Sequence, residues 1–367
     1  MIKLALLHGL RWFERACRHL PSVGIFRPEK GFFSAYELLK RGELEGFVLY
    51  GSQTPGPCPA DSVTEQAGMR QHDHQPWPAF WTRADDARLV GSMLQWRDQR
   101  DLMCSEGLYR SHERRRLRED KAFAQILIPK PAILPGAWTS IASNWGDGRN
   151  YYHWITDNLT RLMVREHLPE ATRILVPDKG YSFVSQTLEM LGLSDVVETT
   201  KHACIQPERF YFCSPTAMTG TNNAAGFDWL RAKFSAFRRP LADGAPVFIT
   251  RRGSTRTPEN LNDLENLFAS NGFRVIDCGK LSVKEQMDAT SSAPAIAGIH
   301  GAAMTNILWA HPDTPVLELF QSTYLNACYE QIAFHCNLHY SYELLDSDSS
   351  AEVVSQWIHD PRGPSGS

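Results

Sequence analysis

The stretch Ala295-Ile296-Ala297-Gly298-Ile299-His300-Gly301-Ala302-Ala303-Met304-Thr305-Asn306 decides the fold. Its first five residues are apolar or small with no polar alternation, as in a strand buried on both faces of a sheet. His300-Gly301 breaks the run, and Ala302 to Leu308 then turns helical. A strand that passes through a glycine turn into a helix presents unpaired backbone N–H groups where the helix dipole favours an anion. His300 can add a hydrogen bond there, while Gly301 and Ala302 allow close backbone approach, so a pyrophosphate would fit. The same residues also suit a tight turn whose histidine is satisfied in the core.

Working outward, the same grammar repeats. Pro246-Val247-Phe248-Ile249-Thr250 reads as a strand, Leu261 to Ser270 as an amphipathic helix, and Phe273-Arg274-Val275-Ile276 as a strand after the helix stop at Gly272. Glu285 to Ala289 begins a helix, and Val316-Leu317-Glu318-Leu319-Phe320 is a further strand. Upstream, a charged helical run from Ser111 to Lys121 leads into a strand at Ala124 to Ile128. Arg173 to Pro177 is a strand and Val184 to Leu191 a helix. Strands alternating with helices predict an α/β protein with parallel sheets covered on both faces. Residues 50 to 80, with Gly51, Pro55, Gly56, Pro57, Pro59, Pro76 and Pro78, predict an irregular surface excursion. No repeat of solenoid period is present.

A chain of 367 residues exceeds the size at which one core stops growing, which predicts two domains and a cleft between them. The segment Arg238 to Pro246 combines charge, glycine and proline and serves as the linker. The resulting division is residues 1–240, with an irregular N-terminal region, then 241–345, then a C-terminal helix and tail over 346–367.

A hydrophobic fraction of 43%, a charged fraction of 22% and a net charge of -3 describe an ordinary globular protein and argue against nucleic acid as the main partner. Eight cysteines without a CxxC pair support neither a zinc knuckle nor a disulfide scaffold, and fit reduced thiols in the cytoplasm. In residues 1–20 the apolar run Leu4 to Leu7 is broken by His8, Arg11, Glu14, Arg15 and Arg18, too short for an export signal or a membrane span. That stretch suits a surface helix packed on its own domain, or a basic amphipathic helix in peripheral contact with the inner membrane.

Three further groups carry chemistry. Arg251, Arg252 and Arg256, followed by Asn260 at a helix start, lie at the carboxyl end of a strand, where open α/β sheets bind ligands. Their guanidinium forks suit a diphosphate; three solvated loop arginines are the alternative. In Asn150-Tyr151-Tyr152-His153-Trp154-Ile155-Thr156-Asp157-Asn158-Leu159, the apolar positions Trp154, Leu159, Leu162 and Met163 predict a helix. His153 and Asp157 then share one face, four residues apart, and either could act as a general base on a hydroxyl. They could also form a plain salt bridge; with no third ligand they predict no metal site. Glu318, in the strand of residues 316–320, could accept from ribose hydroxyls or simply cap a strand. His72-Asp73-His74 in the proline-rich excursion is weak evidence for a metal.

In this order the pieces resemble glycosyltransferase family 61, as a bacterial capsule or lipopolysaccharide-type member. The matching elements are Tyr152-His153-Trp154 with Asp157 and Arg161-Leu162; Ile249-Thr250-Arg251 with Arg256 and Asn260; Gly272-Phe273; Glu285-Gln286; and His300-Gly301-Ala302 with Asn306, then Glu318. The chain departs from the family in a shorter gap between Arg251 and Arg256, in Leu261 where an acidic residue is usual, and in Thr160 where proline is common. The resemblance implies a GT-B-like frame of two Rossmann-like lobes facing an inter-domain cleft. It also implies inversion at the anomeric carbon and no cofactor or tightly bound metal in the chemical step.

The expected partners are therefore a nucleotide-sugar donor, UDP-linked, and a carbohydrate or glycan acceptor, in surface polysaccharide or glycan synthesis. His153 and Asp157 are the expected catalytic residues. Arg251, Arg256, Asn260, His300, Gly301, Ala302, Asn306 and Glu318 are the expected substrate-binding residues, with residues 241–345 holding the nucleotide. The alternatives are a nucleotide-sugar epimerase, which needs no acceptor, and a non-catalytic nucleotide-sugar-binding subunit.

Overall fold

Val247–Ile249, Arg274–Ile276, Ile296–Ile299, Pro315–Phe320 and His339–Leu344 form a five-stranded sheet in which every neighbouring pair is parallel. These assignments come from a computed structural model. It describes residues 23–25, 32–50, 78–85, 87–91, 94–98, 102–107, 127–142, 148–169, 171–177, 179–202, 204–217, 223–241, 244–253, 256–345 and 350–362. The expected N-terminal helix, residues 51–77 of the proline-rich excursion with His72-Asp73-His74 among them, and the charged run Ser111 to Lys121 lie outside the described residues.

Numbered along the chain, the five strands stand in space as 2-1-3-4-5. The chain leaves the strand 247–249 to one side, then returns to place 296–299 on its other side. This is a doubly wound order, and the crevice where the direction of winding reverses lies at the carboxyl ends of those two strands. Both strands are buried along their whole length, as the unbroken apolar runs imply. Gly298 sits where they press together: a Cβ there would lie 2.5 Å from Met304 Sδ and 3.0 Å from Ile249 Cβ. Gly298→Ala is accordingly expected to destabilise the fold by about 1–3 kcal/mol through overpacking, read as a lower denaturant midpoint at unchanged slope.

The helices follow from local chemistry. Leu261–Ser270 buries Leu264 and Phe268 against the sheet, with Phe268 stacked on Phe248 at 4.3 Å between ring centroids. It ends at Gly272, whose φ of +83° favours glycine, with Phe273 N–H donating to Phe268 O and Gly272 N–H to Ala269 O, a Schellman stop. The next helix spans Val283–Ser291 and begins two residues before the expected Glu285. Ser282 caps it: the serine accepts from Glu285 N–H while Glu285 Oε2 accepts from Ser282 N–H at 2.7 Å. Ser350–His359 packs Val354, Trp357 and Ile358 onto the same layer.

The second sheet is mixed, which differs from the parallel one that strand-helix alternation predicts. Val197–Thr200, Arg173–Pro177, Ala132–Ser140 and Cys204–Cys213 lie parallel in that spatial order. Cys204–Cys213 also pairs antiparallel with Ala79–Asp85 and Arg88–Val90, extending the sheet with strands from the first hundred residues. Those segments are short and interrupted, so their sequence carries little period-two signal. The strand expected at Ala124 to Ile128 is described as Leu127–Pro129, paired antiparallel with Val23–Ile25.

One buried apolar cluster runs through both sheets, joining Ile141, Trp154, Ile155, Leu159 and Phe227 to Ile249, Ile296, Met304 and Trp309. The linker segment is pinned to this body. Arg238 Nε donates to Trp309 O at 2.9 Å and Arg239 N–H to Ser291 Oγ at 2.9 Å. Among the described residues no helix is long and apolar enough to cross a membrane.

Candidate functional site

The chain leaving Ala132–Ser140 enters a helical segment of changing pitch: α over Tyr151–His153, π over Trp154–Asn158, 3-10 over Leu159–Arg161, and α again over Leu162–Arg165. A π turn is a costly local insertion that recurs at functional sites. Here it carries the expected pair. His153 Nδ1 lies 2.9 Å from Asp157 Oδ2, with the histidine side chain 18% and the aspartate 5% exposed. Thr156 Oγ1 lies 2.9 Å from Asp157 Oδ1, fixing the other carboxylate oxygen. A carboxylate facing Nδ1 selects the tautomer protonated there, which makes Nε2 the basic nitrogen of the ring.

Arg161, buried at 4% exposed, anchors this segment to the sheet. Its guanidinium donates to Ala142 O and, from Nε at 3.0 Å, to Cys213 O, bridging the carboxyl ends of two parallel strands. Thr160 donates to Thr156 O at 2.7 Å and so closes the π turn from within.

The second group lies on the five-stranded sheet. Arg251 leaves the strand 247–249 and donates to His300 O at the end of the neighbouring strand 296–299, spanning the reversal crevice. Gly301 permits this, because a Cβ at 301 would lie 2.7 Å from Arg251 Nη1. The space expected to admit a phosphate to the Gly301 backbone is therefore occupied by a guanidinium. Ala302 and Ala303, half-buried, begin a 3-10 helix over Ala302–Trp309, not an α-helix.

Burial lowers the Arg251 pKa, and the neighbouring positive charge of Arg256 lowers it further. Arg256 lies with its guanidinium carbon 4.0 Å from the ring centroid of Tyr324, and its Nη1 is buried without a hydrogen-bond acceptor among the described residues. Leaving such a donor unsatisfied costs about 1–3 kcal/mol or more, which an anion would recover. Arg252 instead forms an ion pair with Glu265 on the helix of residues 261–270. Asn260 is exposed at the start of that helix and its side chain makes no capping bond.

Three expected binding residues occupy the interior. His300 Nδ1 lies 2.5 Å from Glu318 Oε1, and Tyr340 hydroxyl donates to Glu318 Oε2 at 2.6 Å. Glu318 is 0% exposed with both oxygens engaged, so the expected contact to ribose gives way to holding His300. Burial raises the Glu318 pKa, opposed by the hydrogen bonds and charge of His300 and by Tyr340. Asn306 is also 0% exposed. It donates to Gln286 Oε1 at 2.8 Å and accepts from the Tyr151 hydroxyl at 2.9 Å, joining the two sheets' helices.

The two groups are neighbours. Tyr152 packs on Tyr329 edge to face at 5.5 Å, Tyr329 on His300 at 5.2 Å, and Tyr324 on His300 at 5.4 Å. A continuous row of rings thus runs from the His153 segment to Arg256. Sequence reasoning missed Tyr324, Tyr329 and Tyr340, and counted Arg161 among the matching elements without giving it a role. Tyr340 offered one signal, the alternation His339-Tyr340-Ser341-Tyr342 that marks an additional strand.

Among the described residues no group of three or more His, Cys, Asp or Glu side chains is arranged to hold a metal ion. No curated protein matches the chain. Residues 151–317 match the family model described as Glycosyltransferase 61, a span that holds the His153–Asp157 pair, both arginines and the His300 turn. Over residues 151–317 the chain is therefore similar to glycosyltransferase family 61.

Proposed function

We propose that the protein is an inverting transferase that moves a sugar from a UDP-linked donor onto a carbohydrate hydroxyl, in surface polysaccharide or glycan synthesis. The observation that carries this reading is the cation pair. Arg251 and Arg256 sit together at the reversal crevice, and a buried Arg256 donor has no acceptor among the described residues. A departing nucleoside diphosphate supplies the anion such a pair fits.

The two sheets act in this reading as the lobes of a GT-B-like frame. The supporting contacts are those from the Tyr151–Tyr152 turn to Asn306 and Tyr329, which bring the carboxyl ends of both sheets to one place. The acceptor hydroxyl oxygen attacks the anomeric carbon as the bond from that carbon to the diphosphate oxygen breaks. The hydroxyl proton passes to His153 Nε2, and the bonding electrons leave on the diphosphate. Asp157 holds Nδ1–H and stabilises the imidazolium that forms. Arg251 and Arg256 neutralise the leaving group, with no resident metal in the step. Glu318 and Tyr340 set His300, whose carbonyl in turn sets Arg251.

The test is a thermal-shift panel of nucleotide sugars followed by product analysis. A ligand that binds only the native state raises the melting temperature with its concentration. UDP-sugars are expected to give the largest rise and a glycosylated acceptor to form; no shift with any nucleotide sugar overturns the reading. Arg251→Ala is expected to lower kcat/KM by about 100-fold, roughly 3 kcal/mol of lost transition-state stabilisation. Unchanged turnover in that variant removes Arg251 from the mechanism.

A further inference from the structure

Beside the His153 segment lies a cavity of about 390 Å³ that the preceding steps do not use. It lies at the carboxyl end of the strand Arg173–Pro177 and along the neighbouring parallel strand Val197–Thr200, against the helix Ser182–Met190. That volume falls within the range of roughly 300–1,000 Å³ typical of small-molecule sites, and strand carboxyl ends are where open α/β sheets receive ligands.

Its lining has a particular chemistry. Tyr181 stands in the loop leaving the strand 173–177 with 44% of its surface exposed. Its ring is backed by Phe183 at 5.7 Å, and Phe183 by Tyr151 at 5.5 Å, so the platform is braced against the turn that carries His153. Ser182, Ser185 and Thr199 add hydroxyls around it, Lys179 an ammonium, and Val184 an apolar wall. A flat exposed ring ringed by hydroxyl donors and acceptors matches a pyranose, whose C–H face is apolar and whose rim is hydroxyl.

The geometry points to this cavity as a subsite for a sugar unit of the acceptor, stacked on Tyr181 next to the residue whose hydroxyl is glycosylated. The inference rests on the transferase reading for the identity of the acceptor. The occupancy of the cavity by a sugar can be measured without it.

The full chain, fluorescently labelled, would be applied to an array of neutral and uronic-acid-containing di- to tetrasaccharides, alongside Tyr181→Ala and Ser185→Leu. The first variant removes the platform at an exposed position, and the second fills the cavity from the helix side. The wild-type chain is expected to bind a subset of the array. Both variants are expected to lose affinity by about threefold to tenfold or more, the loss expected for removing one ring contact, with UDP binding unchanged. Lysine recognition at the rim would appear as preference for the uronic-acid members.

No array binding by the wild type, or equal binding by both variants, overturns the subsite. If UDP-sugar binding and transfer persist in that case, the transferase reading stands without it. If array binding depends on Tyr181 while no nucleotide sugar is bound or consumed, the subsite stands and the transferase reading falls.

Discussion

Replacing His153 by alanine, or Asp157 by asparagine, is expected to lower kcat by about 10²- to 10⁴-fold while leaving donor binding near its wild-type value. The reason is geometric. Asp157 is 5% exposed and Thr156 contacts one of its oxygens, so the other is fixed on His153 Nδ1 at 2.9 Å. Asparagine at 157 can donate to Nδ1 from its amide, which would place the ring proton on Nε2 and remove the base without moving the ring. A comparable tautomer switch in a serine protease triad lowers turnover about 10⁴-fold. The measurement is single-turnover sugar transfer with melting curves as the control for folding. Turnover of both folded variants within threefold of wild type, a difference of less than about 0.7 kcal/mol, would show the base to lie elsewhere.

Glu318→Ala is expected to destabilise the protein by about 3–5 kcal/mol, a large share of the roughly 5–15 kcal/mol that separates folded from unfolded domains. The variant leaves a cavity beneath His300 and removes the acceptor for both His300 Nδ1 and the Tyr340 hydroxyl. Glu318→Gln retains the volume and one acceptor oxygen, so its loss should be smaller, about 1–3 kcal/mol. Urea unfolding distinguishes them. A Glu318→Ala midpoint equal to wild type would mean that the buried pair contributes nothing, and that His300 is positioned by its stacking on Phe320 at 4.7 Å.

These two experiments probe residues that the sequence presented differently. His153 and Asp157 were legible because both lie in one short segment, where a spacing of four residues decides whether side chains meet. The π turn through Trp154–Asn158 was not legible, yet the pair still meets across it. Glu318 was legible as an acidic residue in an apolar strand but not as a buried one. Its partners, His300 and Tyr340, stand eighteen and twenty-two residues away and reach it only because their strands flank its own. Arg161 was legible only as part of the matching pattern, with no role assigned to it. It matters because Ala142 and Cys213, far apart in the chain, end adjacent strands.

The sequence by itself determined the α/β class and the positions of the strands at 173–177, 247–249, 274–276, 296–299 and 315–320, as well as the helix 261–270. Apolar runs, the stop at Gly272 and helical periodicity are local properties, and local energetics write them directly into residue order. The tertiary structure alone decided which strands pair, that the second sheet is mixed, and that Gly301 makes room for Arg251. It also decided that Asn306 and Glu318 face inward while Tyr324 and Tyr181 face outward. Each of those outcomes depends on contacts between segments remote in sequence, whose free energy exists only once both segments are in place.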